Sequence, residues 1–206
     1  FTGVNTGYMV CSYGKIYKTT DGGYLWDTLA SYKDLSLSEV TFVDENTGFV
    51  AGEGNGAGTI LKTNDGGLSW GSIYEGDRPV RGIHFIDENV GYAILYSSVI
   101  KTINGGLDWT ETNISNDGIL MDVFFVNQSI GFVCGFMGSF YKTTNGGETW
   151  ILLPTQFSNY LMCMYFVDEN TGYMCGDGCT FFQTDNGGVN WTSLDYFSCS
   201  WSNSVW

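Results

Sequence analysis

Apolar and polar residues alternate over short runs of the chain, and a cluster of turn-forming residues follows each run. In one stretch of about forty residues the runs cover 39–43, 48–51, 59–63 and 68–73. Alternation with a period of two is typical of β-strands that bury one face, and no segment has a convincing helical period. The pattern therefore predicts four short strands in this stretch.

The turn between the third and fourth predicted strands has a sequence that occurs five times. The clearest copy, Lys62 to Trp70, reads Lys-Thr-Asn-Asp-Gly-Gly-Leu-Ser-Trp. An Asp or Asn side chain accepts hydrogen bonds from the backbone ahead of it, and glycine takes the positive-φ positions of a tight turn. The other copies run over 18–26, 101–109, 142–150 and, with Gln in place of Lys, 183–191.

A second phrase, Phe-Val-Asp-Glu-Asn-Thr-Gly, precedes each turn and sets the period of the repeat. Its glycine falls at positions 7, 48, 91, 131 and 172, which are 41, 43, 40 and 41 residues apart. Four antiparallel strands in a repeat of this length form one blade of a β-propeller. We therefore predict an all-β fold, a five-bladed β-propeller of four-stranded antiparallel blades.

The two ends of the chain predict how this ring closes. Placing Trp206 before Phe1 continues the period, so residues 198–206 supply the first strand of the blade formed by 1–31. N- and C-terminal segments then share one blade, which removes an unpaired strand edge. The other blades are predicted at 36–75, 79–114, 119–155 and 160–196 of a single domain, 1–206. The same ends also fit a strand lent head-to-tail to a second copy, or a piece of a longer array.

The charge and composition narrow the range of partners. Acidic residues outnumber basic ones by 22 to 8, so the net charge of −14 repels nucleic acids and anionic lipid surfaces. No apolar run is long enough to cross a membrane. A protein or a glycan is the expected partner, with a homopolymer of the chain itself as the alternative. The chain begins at Phe1, so we expect a processed or partial chain.

Glycosylation sequons and cysteines favour an extracytoplasmic location, whether secreted, periplasmic or at the cell surface. Three sequons place possible N-glycans at Asn113, Asn127 and Asn190. At least one disulfide is expected near the junction of the last and first blades, with free buried thiols as the alternative. The six cysteines available for it are Cys11, Cys134, Cys163, Cys175, Cys179 and Cys199.

No catalytic, cofactor-binding or metal-binding residues are predicted. His84 is the single histidine, and we expect it to pack in an inner strand. No phosphate loop or nucleophile elbow occurs, and the Asp-Glu-Asn turns lack the spacing of a calcium loop. A paired-carboxylate glycosidase site stays open, although no pair stands out from the repeat.

A possible ligand surface is predicted at the ends of the blades opposite the repeated turns. Two arginines, Arg78 and Arg81, lie in the connection that leads into the third blade. Rigid aromatic residues with sparse charge suit sugar stacking or a protein interface, although each of them could equally be buried between blades. The residues expected on this surface are Tyr13, Tyr32, Glu53, Tyr74, Tyr96, Phe136, Phe157, Tyr160 and Trp201, of which Tyr32, Tyr74, Tyr160 and Trp201 are the candidate ligand contacts.

The two repeated phrases resemble those of Asp-box (bacterial neuraminidase repeat) propellers, and most of all the branch similar to photosystem II assembly factors, with its secreted bacterial relatives. The resemblance implies that each box is a structural hairpin between the third and fourth strands of a blade. It also implies that sialidase chemistry, which needs three arginines, is absent from a chain with two. The box residues are Asp21, Trp26, Asp65, Trp70, Asn104, Trp109, Asn145, Trp150, Asn186 and Trp191.

Three functions remain open from the sequence. The first is a non-catalytic extracytoplasmic binding or scaffold propeller, whose ligand surface lies opposite the Asp-box turns. The second is a structural subunit of an extracellular fibre or repeat array, built by head-to-tail strand sharing at the termini. The third, by analogy with other Asp-box propellers, is a glycosidase that acts on polysaccharide.

Overall fold

The computed structural model describes residues 1–115, 118–158 and 160–194, and it confirms the all-β prediction in five antiparallel sheets. The strands are β1 Gly7–Val10, β2 Lys15–Thr19, β3 Asp27–Ser31, β4 Ser36–Phe42, β5 Gly48–Gly54, β6 Ala57–Thr63, β7 Gly71–Gly76, β8 Ile83–Phe85, β9 Gly91–Ile94, β10 Ser98–Thr102, β11 Thr110–Asn113, β12 Leu120–Phe125, β13 Gly131–Gly135, β14 Phe140–Thr143, β15 Ile151–Leu152, β16 Leu161–Phe166, β17 Gly172–Gly176, β18 Thr180–Thr184 and β19 Thr192–Ser193. Two 3₁₀ turns, Phe136–Gly138 and Asp177–Cys179, follow β13 and β17.

Each sheet pairs its strands in sequence order, as propeller blades do. Blades two to five are the four-stranded sheets β4–β7, β8–β11, β12–β15 and β16–β19, and blade one is the three-stranded sheet β1–β3. The fourth strand predicted for blade one, and with it the closure by 198–206, lies outside the described residues. The described part of the chain contains no helix long and apolar enough to cross a membrane.

The last strand of each blade starts later than the sequence pattern indicates. In blade two the strand begins at Gly71 rather than at 68, because Ser69 donates its backbone N–H to Asp65 Oδ1, 2.9 Å away. Trp70 donates its indole N–H to the carbonyl of Gly67 at 3.0 Å. Both residues therefore belong to the turn, and the strand follows them.

The described chain divides into two compact units. The first comprises 1–96 and 100–110, and the second comprises 97–99 and the described residues from 111 onwards. Blades one and two lie in the first unit, and blades four and five lie in the second. The prediction of a single domain over 1–206 stays a prediction.

Stacked aromatic rings hold successive blades together within each unit. In the first unit Tyr8 stacks on Phe42 with ring centroids 3.7 Å apart, and Phe49 stacks on Phe85 at 3.4 Å. In the second unit Phe132 stacks in the same way on a phenylalanine of blade five, at 3.8 Å. In these three pairs the residue after the repeat glycine contacts the phrase phenylalanine of the following blade.

The glycine of the phrase is required because the phenylalanine ring of its own blade covers it. A Cβ built at Gly131 would lie 2.5 Å from the ring of Phe125, and the corresponding distance at Gly48 is also 2.5 Å. A side chain does not fit at this position, and the ring has no room to move away, because it is already packed against its neighbours. The spacing of phenylalanine and glycine in the sequence is therefore a packing constraint.

Candidate functional site

The five Asp-box turns share one hydrogen-bond pattern. In blade four the hydroxyl of Thr143 accepts the backbone N–H groups of Asn145 at 3.3 Å and Gly147 at 2.9 Å, and donates to Asn145 Oδ1 at 2.9 Å. That same Oδ1 accepts the N–H of Thr149 at 3.0 Å. The threonines of all five boxes are buried: Thr19, Thr63, Thr102, Thr143 and Thr184. The box residues thus act on the backbone of their own turn.

Carboxylates in these turns have lowered pKa values because they accept several hydrogen bonds. Bonds from Ser69 and Thr63 lower the pKa of Asp65 to about 2. The backbone N–H of Leu25 and the hydroxyl of Thr19 lower the pKa of Asp21. The other three boxes carry Asn, which preserves the acceptor without the charge. Among the described residues, no group of three His, Cys, Asp or Glu side chains is placed to hold a metal ion.

The lysine that begins a box bridges two blades at Lys18, Lys62 and Lys142, a role that the sequence did not reveal. Lys62 lies over the ring of Phe49, 5.2 Å from its centroid, and donates to the carbonyls of Glu88 and Gly105 in blade three at 3.3 and 3.5 Å. Lys18 donates to Gly66 of blade two at 3.2 Å in the same manner. The repeated lysine in the motif was the available signal.

Two carboxylates on the first strands of blades form a second bridge that the sequence did not predict. Glu39 Oε2 accepts the backbone N–H of Ile83 at 2.8 Å, within the first unit. Asp122 Oδ2 accepts the N–H of Met164 at 2.7 Å, within the second. Burial raises the pKa of Asp122 to about 7. Both residues occupy the same position of the repeat, in blades two and four.

A shallow polar cleft, largely open to solvent, lies in the first unit, at the blade ends opposite the Asp-box turns. The turn after β1 and the turn after β5 border it, and the connection 32–36 runs between them. The cleft measures about 360 Å³, and its lining includes Ser12, Lys33, Asp34, Glu53 and Asn55. We call this surface, residues 11–14, 32–36 and 53–57, the turn surface.

Backbone contacts fix the shape of the turn surface. Gly14 has a φ of +65°, and a Cβ there would lie 1.8 Å from the carbonyl oxygen of Tyr32. Tyr32 donates its N–H to the carbonyl of Gly14 at 2.9 Å, and Leu37 donates to that of Cys11 at 3.3 Å. The side chain of Tyr13, by contrast, is 80 % exposed at the tip of its turn. A backbone held by these contacts therefore places the exposed ring of Tyr13 next to Ser12, which lines the polar cleft.

The aromatic residues predicted on a ligand surface have different environments. Tyr32 is half-buried, burial raises its pKa, and its hydroxyl donates to the carbonyl of Trp70 at 3.4 Å. Tyr74 is also half-buried and packs edge-on against Trp109, with centroids 5.9 Å apart. Tyr160, in the second unit, is exposed and stacks on Phe136 at 4.1 Å. The prediction for Trp201 lies outside the described residues.

The remaining predicted positions are charged or histidine residues of the first unit. Arg78 Nε donates to Asp77 Oδ1 at 3.3 Å, and Arg81 is exposed and donates its backbone N–H to the carbonyl of Ile94. His84 is half-buried in β8, opposite Tyr92 of β9. Arg78 and Arg81 follow β7, and neither of them lines the polar cleft.

The cysteines and sequons are placed as follows. Cys11, Cys134, Cys163 and Cys175 are not joined in a disulfide, and Cys199 lies outside the described residues, so the predicted disulfide stays a prediction. The side chain of Cys179 is likewise not described. Asn113 and Asn190 are exposed, whereas Asn127 uses its Oδ1 to accept the N–H groups of Ser129 and Ile130.

Comparison with known proteins gives a family model and several solved structures. The model described as "Photosynthesis system II assembly factor YCF48" matches residues 102–198. The structure "YCF48 bound to D1 peptide" is 17% identical over 95% of this chain and 80% of its own length, with a TM-score of 0.55. YCF48 from Cyanidioschyzon merolae is 16% identical over 93% and 81% of the two chains, with a TM-score of 0.53. None of the curated proteins matches the sequence.

An ancestral GH74 enzyme superposes with a higher TM-score, 0.73, at 18% identity. It aligns with 94% of this chain, but this chain spans only 30% of that enzyme. Identities at this level establish the propeller fold alone, whereas the family model and the five Asp-box turns identify the type of repeat. The chain is therefore a β-propeller protein with BNR-type repeats, and its residues 102–198 are similar to the photosystem II assembly factor family.

Proposed function

We propose that this protein is a non-catalytic binding propeller with an extracytoplasmic location, and that its turn surface binds an extended segment of a partner protein. The observation that carries the proposal is the polar cleft of the first unit beside the exposed ring of Tyr13. The relation to YCF48, which has been solved with a bound D1 peptide, supports a peptide as the ligand. The exposed sequons at Asn113 and Asn190 support the location.

The chemistry of the cleft favours a ligand of mixed polarity. Lys33 supplies one positive charge, while Asp34 and Glu53 supply two negative ones, and all three border the same 360 Å³ space. The ring of an aromatic side chain is rigid, so the side chain loses little conformational entropy when it covers a ligand. A peptide with a basic residue near an aromatic or proline residue therefore fits both parts of the turn surface.

The distribution of basic residues supports the first unit as the binding unit. Four of the eight Lys and Arg residues are the box lysines 18, 62, 101 and 142, which the repeat itself uses. The other four are Lys15, Lys33, Arg78 and Arg81. All of these lie between residues 15 and 81, so positive charge outside the repeat is confined to one part of a chain with a net charge of −14.

Selection from a random twelve-residue peptide library tests the proposal, because blade one offers a matched pair of variants. Tyr13 and Tyr24 are both exposed, but they lie at opposite ends of β2. We expect Tyr13→Ser to weaken the affinity for the selected peptides by about tenfold, which is the loss typical of one aromatic contact. Tyr24→Ser should change this affinity by less than about twofold. Equal effects of the two variants, or selection of no peptide at all, would reject the turn surface as the binding site.

A polysaccharide-acting enzyme is the second candidate, because the GH74 superposition has a TM-score of 0.73. Another GH74 structure that superposes on this chain is a xyloglucanase from Xanthomonas campestris. Incubation of the purified protein with xyloglucan, followed by assay of reducing ends, tests this candidate. Release of reducing ends would replace the binding proposal with a catalytic one. The fibre alternative is tested by electron microscopy at high protein concentration, where filaments would support strand exchange between copies.

A further inference from the structure

Two cysteines of blade five face each other across a pair of antiparallel strands. Cys163 on β16 and Cys175 on β17 are direct partners in the strand register. Their Sγ atoms are 2.8 Å apart. Cα atoms of directly opposed residues in a sheet are separated by about 4.5–5.5 Å, which is within the range that a disulfide spans. The backbone therefore already has the geometry that a bond between the two sulfurs needs.

Other blades show that the repeat does not require two thiols at these positions. Blade four pairs Asp122 with Cys134 there, and blade two pairs Glu39 with Ala51. A carboxylate opposite a small side chain thus satisfies the same packing. The dithiol pair is particular to blade five among these three blades, so packing alone does not explain it.

The neighbours of the pair disfavour the thiolate form of Cys163. The hydrogen bond to Cys175 and burial both raise the pKa of Cys163, and the charge of Asp122 acts in the same direction. Cys134, packed against blade five, donates its Sγ–H to the carbonyl of Leu161 at 3.8 Å, and burial raises its pKa as well. The thiolate is the reacting form, and a thiol of high pKa is also a poor leaving group. A disulfide formed here should therefore form slowly and be reduced slowly.

Access differs between the two sulfurs and sets the order of the reaction. Cys163 is half-buried, whereas Cys175 is fully buried. An external reagent therefore meets Cys163 first, and Cys175 is placed to resolve the intermediate.

We propose that Cys163 and Cys175 form a disulfide within blade five by exchange with a low-molecular-weight disulfide such as oxidised glutathione. The Cys163 thiolate attacks one sulfur of the reagent, and the first glutathione leaves as a thiolate. The Cys175 thiolate then attacks Cys163 Sγ of the mixed disulfide and displaces the second glutathione. Two protons pass from the protein thiols to the released thiolates, so the protein is oxidised by two electrons and the reagent is reduced by two.

The disulfide closes a short loop between strands that are already paired. The two cysteines are twelve residues apart in the sequence, and the loop contains the turn 167–171. Cross-linking restricts the unfolded chain and leaves the folded strands in place. Oxidation should therefore raise the urea concentration at the unfolding midpoint, and prolonged treatment with a reductant should reverse the shift.

Peptide mapping of the oxidised full-length chain tests the proposal. No Lys or Arg lies between the two cysteines, so chymotrypsin, which cleaves at Tyr165, Phe166 and Tyr173, is needed to separate them. After folded protein is oxidised with glutathione disulfide and alkylated, we expect a linked peptide pair whose mass is lower by two hydrogen atoms than that of the separate dithiol peptides. Cys134→Ser should leave the link intact, and Cys175→Ser should leave Cys163 as a glutathione adduct.

Two results would overturn the assignment, and neither depends on a variant. The first is a link from Cys175 to a cysteine other than Cys163. The second is alkylation of both Cys163 and Cys175 after prolonged oxidation of the folded protein. The assignment would be established by a Cys163–Cys175 link that reaches full occupancy, together with a shift of the urea midpoint that a reductant reverses.

Discussion

Replacing Thr143 with Val tests how much one Asp-box turn contributes to stability. The two side chains have nearly the same shape, but valine removes a buried hydroxyl that makes three hydrogen bonds. The substitution leaves the backbone N–H of Gly147, which lies in a buried turn 2.9 Å from the hydroxyl, without its acceptor. An orphaned buried donor costs about 1–3 kcal/mol, so we expect a loss of about 2 kcal/mol.

The assay is equilibrium unfolding in urea at pH 7, followed by tryptophan fluorescence, with Thr149→Val as the matched control. Thr149 lies in the same turn but is exposed, and water can replace the one bond its hydroxyl accepts, from the Asn145 side-chain amide at 2.9 Å, so its substitution should change the free energy of unfolding by no more than about 0.5 kcal/mol. We expect a lower midpoint for Thr143→Val at an unchanged slope. A loss equal to that of the control would refute the view that the buried threonine organises the turn.

Three further substitutions test the contacts between and within blades. Lys62→Met keeps the apolar stem but removes the hydrogen bonds to blade three, so the free energy of unfolding in urea should fall by about 1–2 kcal/mol. Lys15→Met is the control and should be nearly neutral. Asp122→Asn should flatten the pH dependence of the urea midpoint. Between pH 3.8 and about 7 the unfolded chain has released a proton that the folded chain keeps, so stability falls as pH rises, by at most about 1.4 kcal/mol per pH unit. Gly131→Ala should lower the melting temperature, because its Cβ meets a ring at 2.5 Å, whereas Gly71→Ala meets nothing within 4 Å and should not.

The sequence predicted the blade architecture well because the relevant interactions are local. The Asp-box hydrogen bonds join residues two to four positions apart, such as Thr143 and Gly147, so a repeated phrase carries all the partners. The phrase glycine is likewise explained by the phenylalanine six residues before it in the same blade. The start of the fourth strand was less readable, because Ser69 and Trp70 bond back into the turn.

Interactions between blades could not be predicted from the sequence, because their partners are about forty residues apart. Lys62 bonds Gly105 and Asp122 bonds Met164, at separations of 43 and 42 residues. Their own positions in the repeat gave no indication of which backbone group they would reach. The polar cleft was not predicted, although Glu53 was expected on this surface, because Lys33 is 20 residues away in the sequence and comes close to Glu53 only when β4 pairs with β5.

Amide hydrogen exchange with and without a selected peptide measures the location of the binding site most directly. If the turn surface binds the peptide, protection should increase in residues 11–14, 32–36 and 53–57. The Asp-box turns of the same two blades, at 19–26 and 63–70, should then exchange at unchanged rates. Protection confined to those Asp-box turns, or no change in the first unit at a saturating peptide concentration, would contradict the proposed function.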